Sequence, residues 1–249
     1  MKTYLYFIAL ALVLTSCGNS GNEEADRKPA TVAQPPLPTG PSVAEQAGIK
    51  EITDFYGGEC KFAVSKPGDA KRYIELQITK SPSLDTSQKI AALCCGNIAV
   101  KYYKHIAGTQ VGYEEIHTII FYPDGQKAEK DFQLKQLDTV LTKSKLVDDI
   151  VGCIQAKNFD GLQPLLNDQN GIIVYNKKDL IEKVKGIDPQ LGALKQFLPF
   201  GFIFYNSDKG KELLHISGMM IREKNNNQFS IDIDPADAKE EAVVINYQL

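Results

Sequence analysis

Apolar and polar residues alternate, or recur at helical spacing, along most of the chain from residue 45 to residue 140. In residues 72–80, Ile74, Leu76 and Ile78 alternate with polar neighbours, which is the period of a strand with one buried face. The predicted elements of this half are a helix at 49–56, strands at 60–65 and 72–80, a helix at 86–106 with Asp85 as its N-cap, and strands at 114–122 and 127–137 around the Pro123-Asp124-Gly125 turn.

The pattern changes from residue 141 to residue 249, where helical spacing comes first and strand-like alternation follows. The Asn225-Asn226-Asn227 run indicates a turn between two strands near the end of the chain. The predicted elements of this half are helices at 147–154, 159–162, 179–185 and 191–197, a short strand at 172–175, and extended segments at 199–204, 213–222, 228–234 and 242–249.

These patterns predict an α+β fold in two domains, residues 45–140 and residues 141–249. Each half is expected to contain an antiparallel sheet with covering helices. Strands and helices do not alternate regularly, so a parallel sheet of the dinucleotide-binding type is not expected. The pattern leaves open whether the two halves are one domain or two.

The first residues have the pattern of an export signal rather than of a folded element. Lys2 is followed by an apolar run of about ten residues, which is too short to cross roughly 30 Å of hydrocarbon. The run ends in Leu14-Thr15-Ser16-Cys17, which resembles a bacterial lipobox. This resemblance implies a signal peptide over residues 1–16, cleavage before Cys17, and acylation of Cys17 with palmitate-type chains that anchor the protein to a membrane.

Residues 17–44 are expected to form a solvated tether between the lipid anchor and the folded body. This segment contains Pro29, Pro35, Pro36, Pro38 and Pro41 and has no aromatic residue, so it has little to bury. The acidic residues at 23, 24 and 26 are similar to the surface-export signals of Bacteroidetes lipoproteins, although a solvated linker explains them equally well. The expected location is the outer membrane, with the periplasmic or surface-exposed side left open.

Two further resemblances concern the folded body. The Phe55-Tyr56-Gly57-Gly58-Glu59-Cys60 segment, with the strand at 72–81, is similar to domains of uncharacterised Bacteroidetes lipoproteins, which implies no activity. The second half resembles the NTF2-like (cystatin-like) group in its order of elements. That resemblance implies a conical sheet with an apolar pocket, which binds ligands in some members and supports catalysis in others. Phe202 and Phe204 are candidates for its lining, with ordinary core packing as the alternative.

The net charge and the motif content exclude several function classes. The 28 Lys and Arg residues nearly balance the 31 Asp and Glu residues, which argues against a nucleic-acid partner. The phosphate-binding, dinucleotide-binding, zinc-protease and α/β-hydrolase motifs are absent, and no cofactor is implied. The three histidines, His105, His117 and His215, have no spacing that would chelate a metal, so no metal site is expected. The acidic residues between 232 and 241 are interpreted as a solvated strand end and turn.

His215 is the histidine for which a role in a pocket is conceivable. It lies on a predicted strand of the second half, and Asp232 or Asp234 would come opposite it across a hairpin. A histidine within hydrogen-bond reach of a carboxylate can act as a general acid or base. The alternative is a histidine packed or solvated without a function.

Four cysteines remain when Cys17 is set aside. Outside the cytoplasm they can form disulfides. Cys60 on a strand and Cys94 or Cys95 on the covering helix are a candidate pair, with free buried thiols as the alternative. Cys153 lies in the other half.

Taken together, these features predict a non-enzymatic, lipid-anchored cell-envelope protein that binds a partner or a small ligand. The alternatives are an enzyme that uses an NTF2-like pocket in the second half, and a structural component of an envelope assembly that pairs through sheet edges such as the C-terminal strand.

Overall fold

The folded body begins with helix α1, Val43–Tyr56. Ser42 caps it: the Glu45 amide donates to Ser42 Oγ at 3.3 Å, and the Ser42 amide donates to the Glu45 carboxylate at 2.6 Å. The computed structural model describes residues 40–66, 68, 71–109 and 112–248, so the predicted signal peptide, Cys17 and most of the tether lie outside the described residues. The predicted tether boundary at residue 44 is slightly late, because the helix has already begun there.

The first half contains a four-stranded sheet in the order β1-β2-β3-β4. The outer pairs, β1–β2 and β3–β4, are antiparallel as predicted, whereas the central pair, β2–β3, is parallel. The chain makes this parallel pairing because the helical segment between β2 and β3 returns it to the same end of the sheet. The strands are β1 (Glu59–Val64), β2 (Tyr73–Thr79), β3 (Glu115–Phe121) and β4 (Lys127–Gln133).

The helical segment between β2 and β3 is divided into three pieces, so the single helix predicted from residue 86 was placed too early. A short helix α2, Pro82–Asp85, is capped by Ser81 rather than beginning after Asp85. A 3₁₀ turn at Gln88–Ile90 leads into the long helix α3, Ala91–Ile106. The predicted apolar stripe is confirmed where it lies on α3, because Cys94, Ile98 and Tyr102 are all buried.

Helix α4, Leu134–Gln155, connects the two halves. The prediction that the strand continues to residue 137 was wrong, because the chain turns at Gln133 and its amide donates to the side chain of Gln136 in a capping box. Leu134, Leu137 and Val140 are buried at helical spacing. The predicted division between residues 140 and 141 falls inside this helix.

A 3₁₀ helix at Phe159–Leu165 and helix α5, Lys177–Leu191, precede the second sheet. The predicted strand at 172–175 is instead a bent loop, because the Asn170 side chain accepts hydrogen bonds from the amides of Ile172 and Ile173. The helix predicted at 191–197 was also wrong. Gly192, with φ of 80°, ends α5, and a strand follows.

The second sheet is an antiparallel meander in the order β5-β6-β7-β8. The four predicted extended segments of the second half correspond to its strands, so the α+β class is confirmed. The strands are β5 (Leu194–Asn206), β6 (Glu212–Arg222), β7 (Asn227–Ile233) and β8 (Ala242–Gln248).

Helix α3 contacts strands of both sheets. A β-carbon on Gly201 of β5 would lie 1.8 Å from the Leu93 carbonyl oxygen, and one on Gly96 would lie 2.6 Å from the Phe202 carbonyl oxygen. The Asn97 side chain also donates to the Pro199 carbonyl at 3.3 Å. The backbones of α3 and β5 therefore touch, and one hydrophobic core cluster extends through both halves.

Among the described residues, none of the helices has the length and apolar character needed to span a membrane.

Candidate functional site

One face of the second sheet packs on helices α3 and α4, which contact it through β5. We call the opposite face the uncovered face. Phe202 and Phe204 point to the packed face, where Phe202 is buried with its ring 5.3 Å from that of Phe132. His215 pairs with Ile203, so its side chain points to the opposite face. The pocket predicted from Phe202, Phe204 and His215 is therefore not formed, because successive residues of a strand face opposite sides. The two phenylalanines are core residues.

His215 makes the predicted contact with a carboxylate. Asp232 lies directly opposite His215 in the β6–β7 register, and its Oδ1 is 2.7 Å from His215 Nδ1. The Asp232 side chain is only 7% exposed, whereas that of His215 is 23% exposed. Among the described residues, the other ring nitrogen of His215, Nε2, has no hydrogen-bond partner. The carboxylate thus holds the ring by one nitrogen and leaves the other available.

Tyr205 completes this cluster on the uncovered face. Its ring packs edge-on against that of His215, with centroids 6.4 Å apart. Burial, together with the carboxylates of Asp232 and Asp208, raises the pKa of Tyr205 to about 12. The phenol is therefore neutral over the physiological pH range and can donate a hydrogen bond. We refer to Tyr205, His215 and Asp232 as the His215 cluster.

A pocket of about 350 Å³ adjoins the His215 cluster at Tyr205. The loop before α5 supplies an apolar wall, and the loop after β5 supplies a polar wall. Lys209 donates to the Gly171 carbonyl and joins these two loops. The lining residues are Ile172, Ile173, Tyr205, Asn206, Ser207, Asp208, Lys209 and Leu213.

Further along the same face, small polar side chains follow His215. Gln228 donates to Ser217 Oγ at 3.2 Å, and Ser230 lies opposite Ser217 on the neighbouring strand. Both serines are buried among their neighbours. This part of the face is thus polar but buried, and the pocket lies on the other side of His215.

Comparison with protein-family profiles, with curated proteins and with solved structures finds no match for this chain. The site must therefore be interpreted from its own geometry.

The first sheet also has a histidine on its uncovered face, where it lies beside Glu115. His117 Nε2 is 3.2 Å from Glu115 and 3.8 Å from Asp131, and its ring stacks on Tyr73. Lys71 binds the same Glu115 carboxylate at 2.5 Å. The hydrogen bond from Lys71 is the main cause that holds the pKa of Glu115 below its ordinary value; burial opposes it, and His117 adds a further lowering effect. Glu115 is therefore shared between two partners.

His105 lies in the last turn of α3, where the helix dipole favours a cation. Its Nε2 is 2.7 Å from Glu51 on α1, and Lys101 and Lys104 bind the same carboxylate. Partial burial raises the pKa of Glu51, but these three partners outweigh it and bring the pKa down to about 2. This cluster joins α1 to α3 and has no adjoining pocket among those described.

The acidic segment at the end of β7 is only partly the solvated turn that the sequence predicted. Asp232 and Asp234 are buried, and Asp234 binds Lys211 at 2.5 Å. The Asp237 carbonyl accepts a hydrogen bond from the buried Lys143 at 2.6 Å. In the part of the chain that the structure describes, no group of three or more potential metal ligands is close enough to hold an ion.

The predicted disulfide between Cys60 and Cys94 or Cys95 is not formed, and the alternative of free thiols is the arrangement observed. Burial raises the pKa of Cys60 and of Cys95 to about 12, and that of Cys94 to about 11. Thiols with such values are protonated near neutral pH, which makes them poor nucleophiles. Cys94 and Cys95 are buried, and Cys60 is partly buried. Cys153 is likewise free.

The His215 cluster can accept a hydrogen bond or a proton at Nε2. When Nδ1 donates to a buried carboxylate, the neutral ring has its lone pair on Nε2 and is fixed in orientation. The sequence missed Tyr205 and the loop residues of the pocket. Tyr205 continues the strand period of β5 and gives no separate signal, and the loop reaches the site only through tertiary contacts.

Proposed function

We propose that this chain is a lipid-anchored protein of the bacterial outer membrane whose folded body binds a small ligand beside His215. The observation that carries the proposal is a histidine held by a buried aspartate, with an unpaired nitrogen, next to a pocket. Ligand sites combine apolar walls with a few oriented polar groups, and this one has both.

The lining of the pocket indicates the kind of ligand. Ile172, Ile173 and Leu213 line the pocket and suit an apolar portion. His215 does not line the pocket but lies beside Tyr205, so a ligand that extends past Tyr205 would offer a donor to Nε2. A volume of about 350 Å³ lies at the small end of the range for ligand pockets. A compact molecule with one apolar part and one hydroxyl or amide donor fits these requirements.

Native mass spectrometry of the full chain, purified in mild detergent from the envelope of a bacterial host, tests this proposal. We expect the wild type and His117→Gln to retain the same small molecule. His215→Gln should lose it, because glutamine cannot present the same fixed acceptor. A wild type without a bound mass, or equal retention by all three proteins, would contradict the proposal.

A second candidate function is catalysis, which is favoured by the same unpaired Nε2. A histidine oriented by a carboxylate can remove a proton from a substrate or from water. Hydrolysis of p-nitrophenyl acetate, a small activated ester, reports such a base. If His215 acts in this way, His215→Gln lowers the rate about tenfold or more relative to His117→Gln. Equal rates would leave binding as the function.

The anchor has its own test. Cys17→Ser removes the acceptor thiol, so we expect the variant to be found outside the membrane fraction, whereas the wild type sediments with it. Ser16→Ala, which leaves Cys17 in place, serves as the control. A Cys17→Ser variant that stays in the membrane fraction would contradict lipid anchoring.

A further inference from the structure

The four outer edges of the two sheets differ in how they are protected from pairing with another strand. Edge strands carry unpaired backbone groups, and proteins usually protect them with charges, prolines, bulges or a covering element. The edge strand β1 carries Glu59 and Lys61, which are exposed. The edge strand β4 carries four charged residues among its seven: Lys127, Glu129, Lys130 and Asp131.

The edges of the second sheet are different. Helix α3 lies against β5, where Asn97 donates to the Pro199 carbonyl. Strand β8, whose sequence is AVVINYQ, contains no charged residue, no proline and no glycine. It is the unprotected edge among those described.

Only the first two residues of β8 have partners on the outer side within the described part of the chain. Leu166 forms a bridge to Ala242, whose carbonyl accepts from the Asn167 amide at 2.9 Å. The Asn170 side chain donates to the Val243 carbonyl at 3.0 Å. Beyond Val243, the backbone of β8 makes hydrogen bonds to β7 alone among the described residues, and Asn246 is exposed.

We propose that the outer edge of β8 pairs with the same edge of a second copy of this chain, antiparallel across a two-fold axis near Asn246. The pairing joins two four-stranded sheets into one of eight strands. An identical edge is self-complementary under two-fold symmetry. Because β8 is neutral, two copies can approach without charge repulsion. A Lys or Glu on the strand would instead face the same charged residue of the second copy and repel it. This inference goes beyond ligand binding and does not depend on it.

The axis near Asn246 predicts which substitutions break the dimer. Like charges placed directly opposite each other on paired strands are destabilising, whereas opposite charges are favourable. Asn246→Lys and Asn246→Asp should each be monomeric alone, and an equal mixture of the two should form a heterodimer. Since Asn246 is exposed, neither substitution disturbs the core. Asn225→Lys and Asn225→Asp, at an exposed turn of the same sheet, are the matched controls.

Analytical ultracentrifugation of the full chain in detergent measures the outcome. The concentration series should reach about 0.5 mM, because an interface built on one pair of strand edges is small and weak. We expect the wild type and both Asn225 variants to dimerise alike, and the mixture of Asn246 variants to recover at least half of the dimer lost by each alone. A dimer that persists in Asn246→Lys would overturn the proposal. A monomeric wild type would also overturn it, and would leave an extended segment of another protein as the occupant of this edge.

Discussion

Both sheets place a histidine on their uncovered face beside a carboxylate, yet the two surroundings differ. His117 lies between Glu115, which Lys71 also binds, and Asp131, whose side chain is 67% exposed. His215 faces Asp232, which is buried. The first histidine shares a buried carboxylate with Lys71 and lies 3.8 Å from a solvated one, whereas the second is held by a single buried carboxylate at 2.7 Å.

This difference shows that a histidine does not form a candidate binding site merely because a carboxylate lies next to it in the sequence or in the strand register. A solvated charge pair contributes little and fixes little, because water and other ions compete for both partners. A buried carboxylate has fewer alternatives, so it fixes the ring orientation of the histidine that reaches it. At the second histidine, a pocket also adjoins the cluster at Tyr205.

The largest expected effect is a loss of stability when a glycine at the contact between α3 and the second sheet is replaced, compared with a glycine in a turn of the first sheet. Gly201→Ala would set a β-carbon against the Leu93 carbonyl at a φ of 143°, so we expect a loss of about 3 kcal/mol in the free energy of unfolding. Gly125→Ala, in the β3–β4 turn at a φ of 82° with open space around it, should lose about 1 kcal/mol. Urea unfolding measures both. Equal losses would mean that the contact between α3 and β5 is not tight.

The next largest effect is the difference in stability between variants that remove Asp232 and Asp131. Asp232→Ala removes a buried partner of His215, and we expect a loss of about 1 to 3 kcal/mol in the free energy of unfolding. Asp131→Ala removes a solvated partner of His117, and the loss should stay within about 0.5 kcal/mol. Thermal or urea unfolding of the two variants decides the matter. Similar values would remove the distinction between the two histidines.

The smallest effect is the pH dependence contributed by the first sheet. Because Lys71 holds the pKa of Glu115 below its ordinary value of 4.5, this carboxylate stabilises the fold fully above about pH 4.5, and its contribution is lost as the pH falls through the lowered pKa. Glu115→Gln should therefore be a few tenths of a kcal/mol less stable than the wild type at pH 7. The gap should close on acidification. A gap that is constant between pH 7 and pH 3 would contradict this account.

A contact between His215 and an aspartate across the hairpin was predictable because its determinants are local, but the choice of Asp232 over Asp234 required the register. The Asn225-Asn226-Asn227 run marks the turn, and strand alternation on either side sets which residues face each other. The parallel pairing of β2 with β3 was not predictable in this way, since it joins segments separated by a long helical connection. Nor did alternation alone reveal that Phe202 and Phe204 share the packed face while His215 does not, because that requires the β5–β6 register.

Two errors in element boundaries have a similar physical cause. Leu134 and Leu137 continue the apolar content of β4, but the capping interaction of Gln133 with Gln136 starts a helix there. At Gly192 the missed signal was the glycine itself, which ends α5 with positive φ. In both cases a single capping residue determined where the helix begins or ends, although the apolar pattern around it favoured another boundary.

The most direct test of the account is the tautomeric state of the histidine rings. The chain has three histidines, so long-range ¹H–¹⁵N spectra of the ¹⁵N-labelled protein can be assigned with the His105→Gln, His117→Gln and His215→Gln variants. At pH 7.5 we expect His215 to carry its proton on Nδ1, with Nε2 unprotonated, and Asp232→Asn to abolish this preference. A proton on Nε2 of His215, or a mixture of tautomers that Asp232→Asn leaves unchanged, would contradict the claim that Asp232 prepares His215 for a ligand.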